Sequence, residues 1–361
     1  MYEQTPPRAL PFDDGLRRAL RTVAGPLAPE SVRGPVLAHE HLALDLSRGG
    51  DATAVLRGRH RSAVTAELAA LREESGLSLV VELTCRGMGR DAEALSRISR
   101  ETGVAVVAGT GWYYERFHPQ EAAHADADEL TELLVREIED GIGDTGVRPG
   151  VIGEAGSHGD EPTGQERRTL TAAAHAARST GLSVATHAQL GHGGPAQLEL
   201  LTGAGLPPHR VSIGHQDLLD DPGVHRELAA AGTYVAFDTV GKENYRSDSA
   251  RLRLLFALLD AGHADRALLS CDISRYGYLT SEGGTGYGHL FRSFLPRLRA
   301  AGADDDLIDL LTRRNPLRFL TGGASDGGEP GDAELGSEQS RGREPGPGVE
   351  GRGDERRGAV R

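Results

Sequence analysis

Between Gly34 and Thr321 the sequence repeats one pattern eight times: a short, nearly unbroken apolar run, then a longer amphipathic stretch. The runs are VLAH (36–39), LVVELT (79–84), VAVVAGT (104–110), VIGE (151–154), SVATH (183–187), VSIGH (211–215), YVAFD (234–238) and ALLSCD (267–272). Because consecutive rather than alternate residues are apolar, each run reads as a strand covered on both faces, as in a parallel sheet. The stretches between them carry helix signals. Thr163 and Glu166 form a capping box ahead of Leu170, Ala173, Ala174 and Ala177. Asp91 opens a helix with Leu95 and Ile98 that ends before Gly103, and Val64, Leu68 and Leu71 precede Gly76 in the same way. Leu252, Leu255, Phe256 and Leu259 make one apolar stripe that stops at Gly262. Eight such alternations, about 290 residues, predict an α/β fold: a single (β/α)8 TIM barrel.

The ends of the chain read differently. Residues 1–20 are an N-terminal extension mixing acids, arginines and prolines, and the barrel domain spans 21–321. From Gly322 to Arg361 aliphatic and aromatic side chains almost vanish, so this segment cannot bury enough apolar area to offset its ordering entropy; it reads as a disordered tail. The RGD at 352–354 is a chance match within it. A formal charge of -13 argues against a nucleic-acid partner, since phosphate-binding surfaces need clustered Lys and Arg. There is no leader-like apolar segment at the start and no run of eighteen apolar residues later, so no membrane contact is expected. Cys85 and Cys271, far apart in sequence, make no disulfide framework and read as core filler in a cytoplasmic protein.

Catalytic groups of such barrels sit where strands end. The polar residues at those ends are His39, His41, Glu154, His187, His215 and Asp272. In a strand, i and i+2 point to one side, so His39 and His41 project into a common space. Taken alone, that pair could equally be two polar loop residues; taken with four more ligands at the same mouth, it reads as a metal site. Imidazoles with carboxylates suit Zn²⁺, with Mn²⁺, Co²⁺ or Fe²⁺ as alternatives. Six ligands are too many for one catalytic zinc that keeps an open position, but they serve two ions sharing a carboxylate and a hydroxide. His39, His41 and Asp272 would hold one, His187 and His215 the other, with Glu154 bridging. Two divalent ions against two carboxylates and a hydroxide leave a site of about +1, still electrophilic, in which the bound water ionises near neutral pH. Asp272 would take a proton from that water and deliver it to the leaving group. The chemistry is hydrolysis.

The motifs AHEHL (38–42), GEAGS (153–157), THAQLG (186–191), IGHQDL (213–218), FDTVGK (237–242) and SCDISR (270–275), in this order, resemble the phosphotriesterase family of the amidohydrolase superfamily. The resemblance runs from about RTVAGPLAPE (21–30) to RRNPLRFL (313–320). It implies a binuclear metal centre on the residues matching His39, His41, Glu154, His187, His215 and Asp272. It also implies barrels that often pair as homodimers. The lactonase and phosphotriesterase branches carry a carboxylated lysine as the bridge. Glu154 at that place resembles the branch of phosphotriesterase homology proteins, which puts paraoxonase-like activity in doubt.

For the substrate, Arg86 follows the second run, Lys242 and Arg246 the seventh, and Arg275 the eighth. Several cations at one mouth suit a small-molecule phosphate or carboxylate better than a neutral triester; rim acids such as Glu243 or Glu282 are the alternative partners. EGGTGYG (282–288) reads as an anion cradle of backbone N–H groups. Trp112, Tyr113 and Tyr114 are candidate pocket walls or simple packing. His158 and His192 are the nearest of the remaining histidines. The expected substrate is an anionic carboxylic ester, best a lactone, as in the sugar and phosphorylated-lactone hydrolases of the family. N-acyl amide hydrolysis, phosphotriesterase or phosphodiesterase activity, and a non-catalytic binding role are the alternatives.

Overall fold

The computed structural model of the chain describes residues 19–323, so the expectations for 1–18 and for 324–361 lie outside the described residues. Eight parallel strands alternate with helices: β1 (Val36–Glu40), β2 (Leu79–Glu82), β3 (Ala105–Thr110), β4 (Val151–Ser157), β5 (Val184–Ala188), β6 (Val211–Ile213), β7 (Tyr234–Phe237) and β8 (Ala267–Leu269). They lie in sequential order in one sheet, with 152 beside 184, 213 beside 186 and 237 beside 269. This is the (β/α)8 barrel that the apolar runs predict. Their buried aliphatic side chains explain the near-continuous hydrophobicity, because helices cover the outside and side chains fill the inside.

Between β8 and β1 the barrel is closed by a side chain. The Glu40 carboxylate accepts from Ser270 Oγ at 2.7 Å and from the backbone N–H of Cys271 and Ile273, both at 2.8 Å. Asp272 N–H donates to the His39 carbonyl at 3.3 Å. Glu40 is fully buried, and burial pushes its carboxyl up to about 7 against those three hydrogen bonds.

The helices start and stop where the sequence marks them. The helix α1 (His60–Ser75) ends on Gly76 in the left-handed conformation, and α2 (Ala92–Thr102) is capped by Asp91, whose side chain accepts from Ala94 N–H at 2.9 Å. After α3 (Ala127–Asp140), α4 (Gly164–Thr180) opens with the reciprocal Thr163 and Glu166 box, the kind of cap whose loss costs about 1 kcal/mol. The helices α5 (Gly194–Gly203), α6 (Pro222–Ala230) and α7 (Asp248–Asp260) follow β5, β6 and β7. On α7 the buried face is rotated from the expected stripe: Leu254 and Leu258 are buried in place of Phe256 and Leu259, and Arg251 lies fully buried beside them. A buried arginine carries no apolar signature, so periodicity alone misplaces that face.

Two glycines let strands crowd together where the site begins. A Cβ on Gly153 would lie 2.4 Å from the Ala185 carbonyl oxygen, and one on Gly214 would lie 2.2 Å from that of Thr186. Both immediately precede a site residue, Glu154 and His215. Among the described residues no helix is long and apolar enough to cross a membrane.

Candidate metal centre and active site

At the C-terminal mouth of the barrel, six side chains from five strands or strand ends meet around Glu154. His39 Nε2 lies 3.4 Å and His41 Nε2 3.3 Å from its carboxylate; His187 Nδ1 is at 3.2 Å and His215 Nε2 at 3.6 Å. Asp272 Oδ1 is 3.2 Å from His41 Nε2 and 4.0 Å from His39 Nε2. Donor atoms of His39, Glu154 and His215 lie within 4.8 Å of one another, as do those of His39, His41 and Asp272. All six residues are buried. His215 and Asp272 are held in the left-handed backbone region, φ 57° and 47°, a conformation costly for side-chain-bearing residues and concentrated at functional sites.

Outer partners fix these rings. Asp238, fully buried at the end of β7, accepts from His39 Nδ1 at 2.7 Å, from His215 Nδ1 at 2.8 Å and from His215 N–H at 2.9 Å. His41 Nδ1 meets Thr84 Oγ1 at 2.9 Å, and His187 Nε2 meets Gln189 Oε1 at 2.8 Å. Each ring thus has one nitrogen tied down and the other turned toward Glu154, the arrangement of metal-ligating histidines.

The electrostatics fit a cation pair. Burial opposes charge on His39, His41 and His215, yet the facing carboxylates outweigh it: Asp238 and Glu154 hold His39 well above 6.5, hydrogen bonds to Asp272 and Glu154 raise His41 to about 9, and Asp238 raises His215 to about 10. Burial lowers His187, which Glu154 offsets only in part. Burial would also raise Glu154, Asp238 and Asp272, but the imidazoles around the first two and Lys242 beside the third keep them well below the carboxylate range. The donor set leaves a place for such ions: His39 Nε2 is buried with no hydrogen-bond partner, although a buried polar atom ordinarily has one. Imidazole and carboxylate donors converging on one space suit Zn²⁺ and its first-row neighbours.

Above the cluster lies a cavity of about 250 Å³. His41, Glu154, His187, His215 and Asp272 form its floor; Tyr113, Tyr114, Phe117 and Leu218 are among its walls, and the exposed Leu190 and Tyr245 stand at the rim. That volume lies below the usual range for drug-sized ligands, so a small substrate fits.

The four expected substrate cations divide two and two. Lys242 and Arg275 line the cavity. Lys242 Nζ makes an ion pair with Asp272 and donates to Ser274 Oγ at 3.2 Å, and Arg275 Nε donates to Asp51 at 2.7 Å. Arg86 instead pairs with Glu137 and Glu121 and stacks over Trp112, while Arg246 donates to the Leu218 carbonyl and pairs with Asp220; neither lines the cavity. Glu243 and Glu282 are not the acids in those four pairings.

The glycine-rich 282–288 loop is a cradle whose anion comes from within the chain. Glu67 of α1 accepts from Thr280 N–H at 2.7 Å and from Tyr287 N–H at 3.1 Å, which corrects its expected role toward substrate. Of the aromatic candidates, Tyr113 and Tyr114 are walls, whereas Trp112 is packed beneath Arg86. His158 stacks on Tyr114, and His192 pairs with Asp160 at the surface. Sequence reasoning missed Asp238, although it ends an apolar run as the other site residues do.

A model of the phosphotriesterase family matches residues 18–320. The chain belongs to that family. Phosphotriesterase-family proteins are binuclear metal-dependent hydrolases, and the cluster just described could hold such ions. The phosphotriesterase homology protein of Escherichia coli (strain K12) is 38% identical over 287 residues, covering 80% of this chain and 98% of the relative. A crystal structure of that kind from E. coli, complexed with phosphate in its active site, superposes with a TM-score of 0.77 at 37% identity over 80% of this chain and 99% of its own. The N-acetyltaurine hydrolase of Danio rerio is 30% identical over 85% of this chain and 99% of the relative. The lactonase Lmo2620 from Listeria monocytogenes gives a TM-score of 0.78 at 25% identity, over 84% and 98%.

Proposed function

We propose that this phosphotriesterase-family hydrolase cleaves a small carboxylic ester, foremost a lactone, that carries an anionic group. One observation carries the reading: Lys242 and Arg275 line the same small cavity whose floor is made by His41, Glu154, His187, His215 and Asp272. A neutral triester would leave both cations without a partner in the substrate, whereas a phosphate or carboxylate uses them. The similarity to a lactonase and to a phosphate-bound relative supports the same reading.

In this proposal His39, His41 and Asp272 would hold one divalent ion, foremost Zn²⁺, and His187 and His215 would hold a second, with the Glu154 carboxylate available to both. Bound there, the ions supply Lewis acidity and water activated near neutral pH. The chain's own residues do the rest. Asp238, Thr84 and Gln189 keep the rings aimed. Asp272, ionised well below neutral pH by Lys242 and His41, accepts a proton at a carboxylate oxygen and returns it to the leaving group. Tyr113, Tyr114 and Phe117 shield the reacting carbonyl from bulk water.

A second reading, N-acyl amide hydrolysis, is favoured by the Lys242 ion pair with Asp272: an amine leaves only when protonated, and this ammonium stands at the Asp272 oxygen that would deliver the proton. The resemblance to N-acetyltaurine hydrolases points the same way. The experiment is a screen of the metal-loaded protein against matched neutral and phosphorylated lactones and N-acyl amides, with kcat/KM for each. Preference for the anionic lactones supports the first reading, preference for the amides the second, and no turnover in any class with both ions bound refutes both.

A further inference from the structure

Of the four imidazoles at the centre, His41 is the one whose outer partner is a hydroxyl. The Asp238 carboxylate can only accept from His39 and His215, so it settles which nitrogen of each ring carries the proton. Thr84 Oγ1, 2.9 Å from His41 Nδ1, can donate or accept. Taken alone it leaves the tautomer of His41 undecided.

The group behind that hydroxyl decides it. Glu82 ends β2, in register with Glu40 on β1, and its side chain is fully buried. Each of its hydrogen bonds is donated by a neighbour: Leu42 N–H at 3.1 Å and the Thr84 hydroxyl to Oε1, and Thr84 N–H at 3.3 Å to Oε2. A carboxylate taken out of water is costly unless it is hydrogen-bonded, and here both oxygens are. That arrangement uses the one proton of the Thr84 hydroxyl. Oγ1 then has only lone pairs to offer His41, so Nδ1 must carry a proton. The nitrogen left for an ion is Nε2, which stands 3.3 Å from Glu154 and 3.2 Å from Asp272. Through Leu42 N–H the same carboxylate also holds the backbone immediately after the ring.

We propose that Glu82 is a positioning residue for the metal centre: acting through the Thr84 hydroxyl, it fixes a proton of His41 on Nδ1 and keeps Nε2 for the ion shared with His39 and Asp272. The inference rests on the ligand set proposed above, and it adds a residue that touches neither ion nor substrate. It also separates the two halves of the centre. Asp238 serves a ring in each half, whereas Glu82 and Thr84 serve the half that contains His41.

The test uses the full chain and Zn²⁺, titrated against a chromophoric chelator so that the two binding steps are resolved. Thr84→Val, which removes the hydroxyl at nearly constant shape, is expected to weaken one step about 10- to 100-fold, the usual cost of losing an outer partner, and to leave the other unchanged. Thr84→Ser, which keeps the hydroxyl, should bind as wild type does. Glu82→Gln should weaken the same step, and in the Thr84→Val background it should add nothing, since the hydroxyl through which it acts is gone. If Glu82→Gln does not fold, Glu82→Asp, which withdraws the carboxylate by one methylene, replaces it with the same expected loss. A further readout needs no variant: in zinc-loaded, ¹⁵N-histidine-labelled wild type, His41 should show a slowly exchanging Nδ1–H close to Thr84. Wild-type affinities in Thr84→Val overturn the proposal. So do a serine variant as weak as valine, which assigns the effect to packing; equal loss in both steps, which marks a general loss of structure; and a His41 protonated on Nε2 instead. Additive losses from Glu82→Gln and Thr84→Val remove Glu82 from the relay. Wild-type protein that binds fewer than two zinc ions removes the ligand set itself, and the role of Glu82 with it.

Discussion

Asp238→Asn is the perturbation that most directly probes how the centre is organised. One buried carboxylate accepts three hydrogen bonds, at 2.7, 2.8 and 2.9 Å, from the two imidazoles and the His215 backbone. Asparagine keeps one acceptor oxygen and puts a donor where the other was. One ring must then give up its hydrogen bond or change tautomer, turning the wrong nitrogen toward Glu154. His39 and His215 belong to different halves of the proposed ligand set, so both ions should feel the change. Loss of an outer partner of a metal ligand typically costs 10- to 100-fold in affinity, about 1.4 to 2.8 kcal/mol per ion. The assay is competition for Zn²⁺ with a chromophoric chelator, together with metal content after dialysis at a fixed free-metal concentration. A second consequence follows from charge: with the counter-ion gone, His39 and His215 hold their protons less firmly, so metal uptake near pH 7.5 should release fewer protons than in wild type. In wild type the release should be about three, from His39, His41 and His215, plus any from water. Both ions bound at wild-type affinity with unchanged proton release would refute the assignment of Asp238 as the orienting group.

Three further outcomes are expected. Asp272→Asn should lower kcat by about 10²- to 10⁴-fold on whichever substrate class the screen identifies; undiminished turnover would remove Asp272 from proton transfer. In the metal-free protein, His41 and His215 contribute stability that is complete below their ordinary value of 6.5 and is lost as pH rises through about 9 and about 10. Melting temperature should therefore fall between pH 6.5 and 10 without metal, while metal affinity rises over the same interval because the ions bind neutral imidazole; a melting temperature that climbs over that interval contradicts the charge pattern. Glu67→Ala should cost about 1 to 2 kcal/mol in denaturant unfolding, because Thr280 N–H and Tyr287 N–H lose their acceptor; unchanged stability would mean that the loop is held by something else.

How much of this was legible beforehand depends on how local each signal is. The strands and their order follow from apolar runs a few residues long, and the helix caps at Asp91, Thr163 and Gly76 follow from single residues, so these were readable directly. His39, His41, Glu154, His187, His215 and Asp272 were readable because a barrel sends every strand end to one mouth, which turns a list of chain positions into a neighbourhood. Asp238 satisfies the same rule and was passed over for want of a role, since a residue that acts through its neighbours has no donor pattern of its own. Arg86, Arg246 and the 282–288 loop misled for another reason. Their partners Glu137, Asp220 and Glu67 sit on other elements, 51, 26 and more than 200 residues distant, and whether a cation or a row of N–H groups is already engaged is decided only by packing.

The carboxylate that joins the last strand to the first ties assembly to function. Glu40 is flanked by two of the site's imidazoles, and the backbone groups it receives flank Asp272. Closing the cylinder and completing the proposed ligand set are one event. A chain still emerging from the ribosome has no finished cage with which to capture divalent ions until about three quarters of its length has been made, and a fragment cut before Ser270 would forfeit the proposed centre together with the seam.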